Sequence, residues 1–93
     1  MCVLALVSQR DYYGYELVET ISKKIEISEG TIYPILRRLT IEKYFETYLT
    51  ESNEGPPRKY YKMTALGRQQ TDKLVGEWSR FSTDVNYIIK GGK

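Results

Sequence analysis

The chain has 93 residues, and its 14 lysines and arginines exceed its 12 aspartates and glutamates by a net charge of only +2. Overall charge therefore does not indicate a nucleic-acid ligand, and the distribution of the cations has to decide that question. With one cysteine, no histidine, no phosphate-binding glycine loop and no metal-spaced cluster, the sequence argues against an internal disulfide, a metal, a cofactor and an enzymatic activity.

The first predicted element is a short helix over residues 2–7, which are apolar on every face. This run is too short to span a membrane and lacks the basic region and cleavage site of a secretory signal, so we expect a cytoplasmic protein. We expect the helix to be buried on all sides, partly by a second subunit at Leu4, and Cys2 to behave as a small buried apolar side chain.

A second amphipathic helix is predicted to begin at Asp11. Its apolar face is formed by Leu17, Val18, Ile21 and Ile25. Gly14, near its start, would allow another element to approach closely. Near the start of this helix lie three tyrosines, Tyr12, Tyr13 and Tyr15. They either contact phosphate or line a pocket, or they pack at the domain surface.

The third predicted helix begins after Ser28, a favourable N-cap, and completes a helix-turn-helix unit with the second. One buried stripe is formed by apolar residues at the i, i+3, i+4, i+7 spacing: Ile32, Ile35, Leu36 and Leu39. The other faces carry Thr31, Tyr33, Pro34, Arg37 and Arg38. Pro34 lies early enough to remove at most one helical hydrogen bond. A polar helix N-terminus followed by two arginines suits DNA phosphates and base edges.

From Tyr44 the hydrophobic period changes to two, and a turn-forming segment at residues 52–57 separates two alternating runs. This pattern predicts a β-hairpin with Tyr61 facing the core. The hairpin cations are Arg58, Lys59 and Lys62. They could contact the DNA backbone or minor groove, or simply protect a hairpin edge from aggregation. Beside an arginine-bearing helix, we favour DNA.

A long final helix is predicted after Thr64, its N-cap, and Gly67 in its first turn indicates close approach of another backbone. A heptad pattern is formed by Leu74, Trp78, Phe81, Val85 and Ile88. Because a chain this short buries only about 60–65% of its unfolded surface, we expect a second copy to cover this face and complete the core. We therefore divide the chain into a DNA-binding domain, 1–64, and a dimerisation helix, 65–93.

Three motifs resemble, in order, the conserved blocks of the PadR family of winged helix-turn-helix transcriptional regulators. They are Gly14-Tyr15-Glu16-Leu17, then Gly30-Thr31-Ile32-Tyr33-Pro34-Ile35-Leu36-Arg37-Arg38-Leu39, then Pro57-Arg58-Lys59-Tyr60-Tyr61-Lys62-Met63-Thr64-Ala65-Leu66-Gly67-Arg68. The family commonly has glycine where this sequence has Lys43. If the backbone there is left-handed, lysine costs about 1 kcal/mol.

The resemblance implies a mainly α fold with a small β-hairpin, and a homodimeric repressor that binds double-stranded DNA at an inverted repeat. Phosphate contacts are expected from Arg37, Arg38, Arg58, Lys59 and Lys62, and base-edge contacts from Thr31 and Tyr33 beside the Ser28 N-cap. The runner-up function is a winged-helix module that docks proteins and does not bind DNA.

The segment Glu77-Trp78-Ser79-Arg80 resembles the C-terminal helix of multidrug-sensing members of that family from lactic acid bacteria. Two copies of Trp78, flanked by Phe81, could hold a planar aromatic or cationic effector between them. Alternatively, Trp78 only fills the dimer interface. Ser82 favours this alternative, because the relatives carry an acidic residue at that position.

Overall fold

The computed structural model describes residues 1–92, and these form four helices and a three-stranded antiparallel sheet. The elements follow in the order α1 (Cys2–Gln9), β1 (Tyr12–Tyr13), α2 (Gly14–Ser22), α3 (Glu29–Ile41), β2 (Phe45–Thr50), β3 (Arg58–Met63) and α4 (Ala65–Ile89). The sheet has the strand order β1-β3-β2. The predicted fold class, a mainly helical winged helix-turn-helix, is confirmed. Within residues 1–92, no helix is both long and apolar enough to cross a membrane.

A single core lies between the helices and one face of the sheet. Leu17 of α2 and Ile32 and Leu36 of α3 are its most deeply buried large side chains. Tyr61 is buried as predicted, and its ring meets that of Phe45 edge-on at a centroid distance of 6.0 Å. Of the four apolar residues predicted to form the buried stripe of α3, Ile32, Leu36 and Leu39 are buried and Ile35 is only half-buried. Helix α3 also continues through Pro34 without a break.

The prediction that the second helix begins at Asp11 is wrong. Tyr12 and Tyr13 form strand β1 instead, because their backbones pair with Tyr61 and Tyr60 of β3. Tyr13 is the N-cap of α2, and its N–H donates a hydrogen bond of 3.0 Å to Glu16 Oε1.

Two further burial predictions fail at the ends of α1 and α2. Helix α2 ends at Ser22, so Ile25 lies beyond its apolar face and is exposed. Cys2 is also exposed, because the domain covers only the side of α1 that carries Val3, Leu4 and Val7.

Lys43 follows α3 in the left-handed conformation, with φ of 68°. Its N–H donates to the Thr40 carbonyl at 3.0 Å, and the N–H of Tyr44 donates to the Leu39 carbonyl at 2.9 Å. These two bonds define a Schellman motif, whose left-handed position glycine normally occupies. The helix thus ends in a conformation that glycine favours, at a cost of about 1 kcal/mol for the lysine side chain.

The start of α4 is fixed against this same turn. Thr64 Oγ1 accepts a hydrogen bond of 3.0 Å from the Gly67 N–H and donates one of 2.7 Å to the Lys43 carbonyl. A Cβ on Gly67 would overlap the carbonyl oxygen of Tyr44. The predicted cap and the predicted close approach are both confirmed, and together they set the position of α4 relative to α3.

Candidate nucleic-acid interface

Helix α3 buries one stripe and leaves a polar face toward solvent. Thr31, Tyr33 and Arg37 are exposed on this face. Ser28 occupies the N-cap position, but its hydroxyl does not accept a bond from the helix backbone and lies 3.3 Å from Thr31 Oγ1. The predicted side-chain cap is therefore not formed. The two hydroxyls at the helix entrance bond each other and are exposed to solvent.

The adjacent arginines of α3 lie in different surroundings. Arg37 lines a pocket of about 210 Å³ with Tyr33 and with Lys59 of the β2–β3 hairpin, which we call the wing. Arg38 lines a separate pocket of about 300 Å³ together with Leu4 and other residues of α1, α3 and α4. Successive helix residues are separated by about 100° around the helix axis. Because of this rotation, only Arg37 lies beside the wing.

The three wing cations are also divided, because successive side chains of a strand point to opposite faces of the sheet. Lys59 shares the face of Tyr61, with its ammonium 5.9 Å from the centroid of that ring. Arg58 and Lys62 lie on the other face, where Arg58 stacks over Tyr13 at 5.2 Å. Of these three cations, only Lys59 lines the pocket that contains Arg37.

These cations lack carboxylate partners. Within residues 1–92, the single ion pair at 4.0 Å or less joins Arg10 to Glu16. Burial raises the pKa of both Tyr33 and Tyr61, so the two phenols of the Arg37 pocket stay neutral at physiological pH. The polar face of α3 and the adjoining face of the wing therefore present positive charge and neutral donors to solvent.

Comparison with known proteins identifies this arrangement. The sequence model of the protein family described as "Transcriptional regulator PadR-like family" matches residues 3–73. The chain belongs to this family.

Relatives of this PadR-like regulator share its fold over almost the whole chain. A Streptococcus mutans UA159 protein is 38% identical with a TM-score of 0.91, and the alignment covers 99% of this chain and 86% of that one. A PadR-like transcriptional regulator from Bacillus cereus is 41% identical with a TM-score of 0.85, over 95% of this chain and 87% of that one. An uncharacterised protein of Lysinibacillus sphaericus is 32% identical over 96% of this chain and 85% of its own length. Membership of a family of transcriptional regulators confirms that the chain is not an enzyme.

The structure of Bacillus subtilis PadR in complex with operator DNA is more distant. It is 22% identical, with a TM-score of 0.72, over 80% of this chain and 44% of that one. At this identity the likeness establishes the shared fold.

The heptad face of α4 is uncovered in its second half. Trp78 is 52% exposed and Phe81 60% exposed, and their ring centroids lie 6.0 Å apart. Ile88 is 73% exposed, while Leu74 and Val85 are half-buried. Leu4 differs from the other predicted interface residues, because its own domain already buries it to 2% exposure.

The outer face of the sheet of this PadR-like regulator carries a row of tyrosines that the sequence patterns did not predict. Tyr13, Tyr60 and Tyr48 lie abreast on β1, β3 and β2, with centroid separations of 5.9 and 5.5 Å. Tyr48 also donates a hydrogen bond of 2.6 Å to Asp11. The alternation of β2 and β3 places Tyr48 and Tyr60 on one face, but a residue predicted to be helical could not be added to that row.

Proposed function

We propose that this PadR-like regulator binds an inverted-repeat operator as a homodimer in the bacterial cytoplasm, with α3 in the major groove and the wing beside it. The observation that carries the proposal is the exposed face of α3, where unpaired Arg37 adjoins unpaired Lys59 of the wing. Bacillus subtilis PadR, which shares the fold, has been crystallised with operator DNA. Residues 1–64 would bind DNA, and residues 65–93 would dimerise.

The symmetry of the proposed dimer makes a geometric prediction. Two recognition helices related by a two-fold axis require half-sites about 10 bp, or about 34 Å, apart. Selection from a random duplex library at near-physiological salt should enrich an inverted repeat with that spacing. Enrichment of no sequence would favour the protein-docking alternative and contradict the proposal.

Base recognition is assigned to Thr31 and Tyr33, next to Ser28 at the entrance of α3. Thr31→Val and Tyr33→Phe each remove one hydroxyl while keeping the approximate shape of the side chain. Repeating the selection with these variants should change the preferred base at particular positions. An equal loss of affinity for all sequences would assign both hydroxyls to the DNA backbone instead.

The regulatory sense we propose is repression, since a dimer on an operator that overlaps a promoter would exclude RNA polymerase. In vitro transcription from a promoter containing the selected operator should fall as the protein is added. A rise in transcript would identify an activator.

A planar aromatic or cationic effector is our second proposal, for the surface around Trp78 and Phe81. It is supported by the exposure of both rings, which would face their copies across a dimer axis. The competing arrangement, in which Trp78 only fills the interface, predicts no response to ligands. Because Trp78 is the single tryptophan, its fluorescence reports directly on a titration with planar cationic dyes. Saturable quenching of Trp78, together with loss of dye binding by Trp78→Ala in isothermal titration calorimetry with the dimer intact, would support the effector site; unchanged fluorescence would exclude it for those dyes.

A further inference from the structure

We infer that Arg37 and Lys59 bind one and the same phosphate of the DNA backbone, in the pocket between α3 and the wing. This inference rests on the proposed DNA-binding function and refines it. If the cations were independent, each would contact its own phosphate. The pocket instead joins a cation of the recognition helix to a cation of the wing.

The first step of the argument is the shape of the pocket. Its volume is about 210 Å³, and its walls come from both elements: Tyr33, Arg37, Thr40, Ile41, Lys59 and Tyr61. Tyr61 is buried and fixes the floor, and Lys59 is held above its ring. The two cationic side chains therefore line one concavity that is open to solvent, although they lie far apart in the sequence.

The second step is the charge of the pocket. No carboxylate of residues 1–92 lies within 4.0 Å of either cation, and the two phenols remain neutral. Glu29 is close enough to raise the pKa of Tyr33 but does not line the pocket. Two like charges repel each other in such a site, and a single anion that both contact relieves that repulsion.

The third step identifies the anion. A DNA phosphodiester carries one negative charge and offers two oxygens, which suit a planar guanidinium and a point-like ammonium together. With α3 in the major groove and the wing beside it, as proposed, the pocket between them would face the DNA backbone that borders the groove. A phosphate of that backbone is therefore the ligand that the pocket fits.

A double-mutant cycle tests the inference. Arg37→Gln and Lys59→Gln are measured singly and together, on the selected operator and on unrelated duplex, across a range of salt concentrations. Each single variant should lose roughly tenfold in affinity on both DNAs, since hydrogen bonds to charged groups are of that strength. The double variant should lose clearly less than the product of the single losses. Its log–log salt slope should fall by about 0.9, as for one phosphate.

The controls come from the same helix and strand. Arg38→Gln and Lys62→Gln remove equal charges from the other pocket and the other face of the wing, so neither should show coupling to Arg37→Gln. Arg37→Lys and Lys59→Arg keep the charge and should restore most of the salt slope. Thermal unfolding of each variant shows whether the fold is kept.

Two results would overturn the inference while leaving the proposed function intact. Multiplicative losses with a slope reduction of about 1.8 would place the two cations on separate phosphates. Unchanged affinity in both single variants would place the pocket away from DNA. A wild-type protein that binds no duplex at any salt concentration would instead overturn the proposed function, and the inference with it.

Discussion

The two halves of α4 contribute to one face of the helix but have different environments. Gly67 and Thr71, in the first half, are buried against the chain's own domain. Trp78, Phe81 and Ile88 continue the same helix face and are more than half exposed. The helix has 25 residues and is about 37 Å long, which is longer than the two smaller extents of the molecule, 28 and 20 Å. Its second half therefore extends beyond the rest of the domain. Burial along this face is therefore decided by what lies opposite it.

The side chains of the two halves match these environments. Gly67 and Thr71 are small, and Thr71 satisfies its hydroxyl internally by donating to the Gly67 carbonyl at 2.8 Å. The backbone of the turn after α3 can therefore touch α4. Trp78 and Phe81 are large and would instead fill a gap between two helices. The small residues make contact within the domain, and the large exposed ones suit the interface with a second copy that we propose.

The largest expected effect lies in the exposed half. Phe81→Glu should raise the dimer dissociation constant by about a hundredfold or more, because each dimer would lose two buried rings and gain two opposed charges. Sedimentation velocity measures the change. Ser79→Glu introduces the same charge outside the heptad face and should leave the dimer intact. If Phe81→Glu also remained dimeric, this half of α4 would not be the interface.

In the buried half, Gly67→Ala should lower the free energy of unfolding by about 2–3 kcal/mol. The added methyl would meet the Tyr44 carbonyl, and this clash outweighs the gain of about 1 kcal/mol in helix propensity. Gly76→Ala is the matched control, since nothing lies within 4 Å of its Cβ position, and it should stabilise by up to about 1 kcal/mol. Thermal denaturation should separate the two variants by more than 10 °C, at roughly 4–8 °C per kcal/mol. Equal melting temperatures would refute the close approach.

The turn against which the buried half packs offers a smaller, opposite effect. Lys43→Gly should stabilise the fold by about 1 kcal/mol, because glycine adopts a φ of 68° without a Cβ penalty. Glu42→Gly, one residue earlier at a φ of −76°, should give no such gain. Chemical denaturation compares the two. A loss of stability in Lys43→Gly would mean that the lysine side chain contributes more than its conformation costs.

The smallest expected effect is a pH dependence of stability that arises at Glu16, within the domain and away from the exposed half of α4. The Tyr13 N–H lowers the pKa of Glu16 below its ordinary value of 4.5, burial opposes this shift, and Arg10 adds to it. Because the folded-state pKa is the lower one, the stabilisation is complete above pH 4.5 and is lost as the pH falls through the folded-state value. Glu16→Gln should flatten the fall in stability below pH 4.5, whereas Glu19→Gln, on an exposed position of α2, should not. Melting curves at several pH values test this, and the same acid sensitivity in Glu16→Gln as in wild type would contradict it.

Several local patterns were predictable from the sequence. The α3 stripe, the Thr64 cap and the β-hairpin follow from local periodicity and capping chemistry, and the structure confirms each. The sequence left open whether Lys43 would be left-handed or the helix would end differently, and the structure shows the left-handed conformation. Strand β1 was not predictable, because Tyr12 and Tyr13 become a strand only by pairing with a partner about fifty residues away.

The candidate site divides in the same way. The amino-acid sequence by itself determined which helix and hairpin carry the cations, since residue type and period are local properties. Only the tertiary structure decided that Arg37 shares a pocket with Lys59, that Arg38 lies in another pocket and that Arg58 stacks over Tyr13. Each of these contacts depends on the angle at which α3, the sheet and α4 pack. The close approach of Gly67 to Tyr44, which fixes the start of α4 against the turn after α3, likewise joins distant segments of the chain.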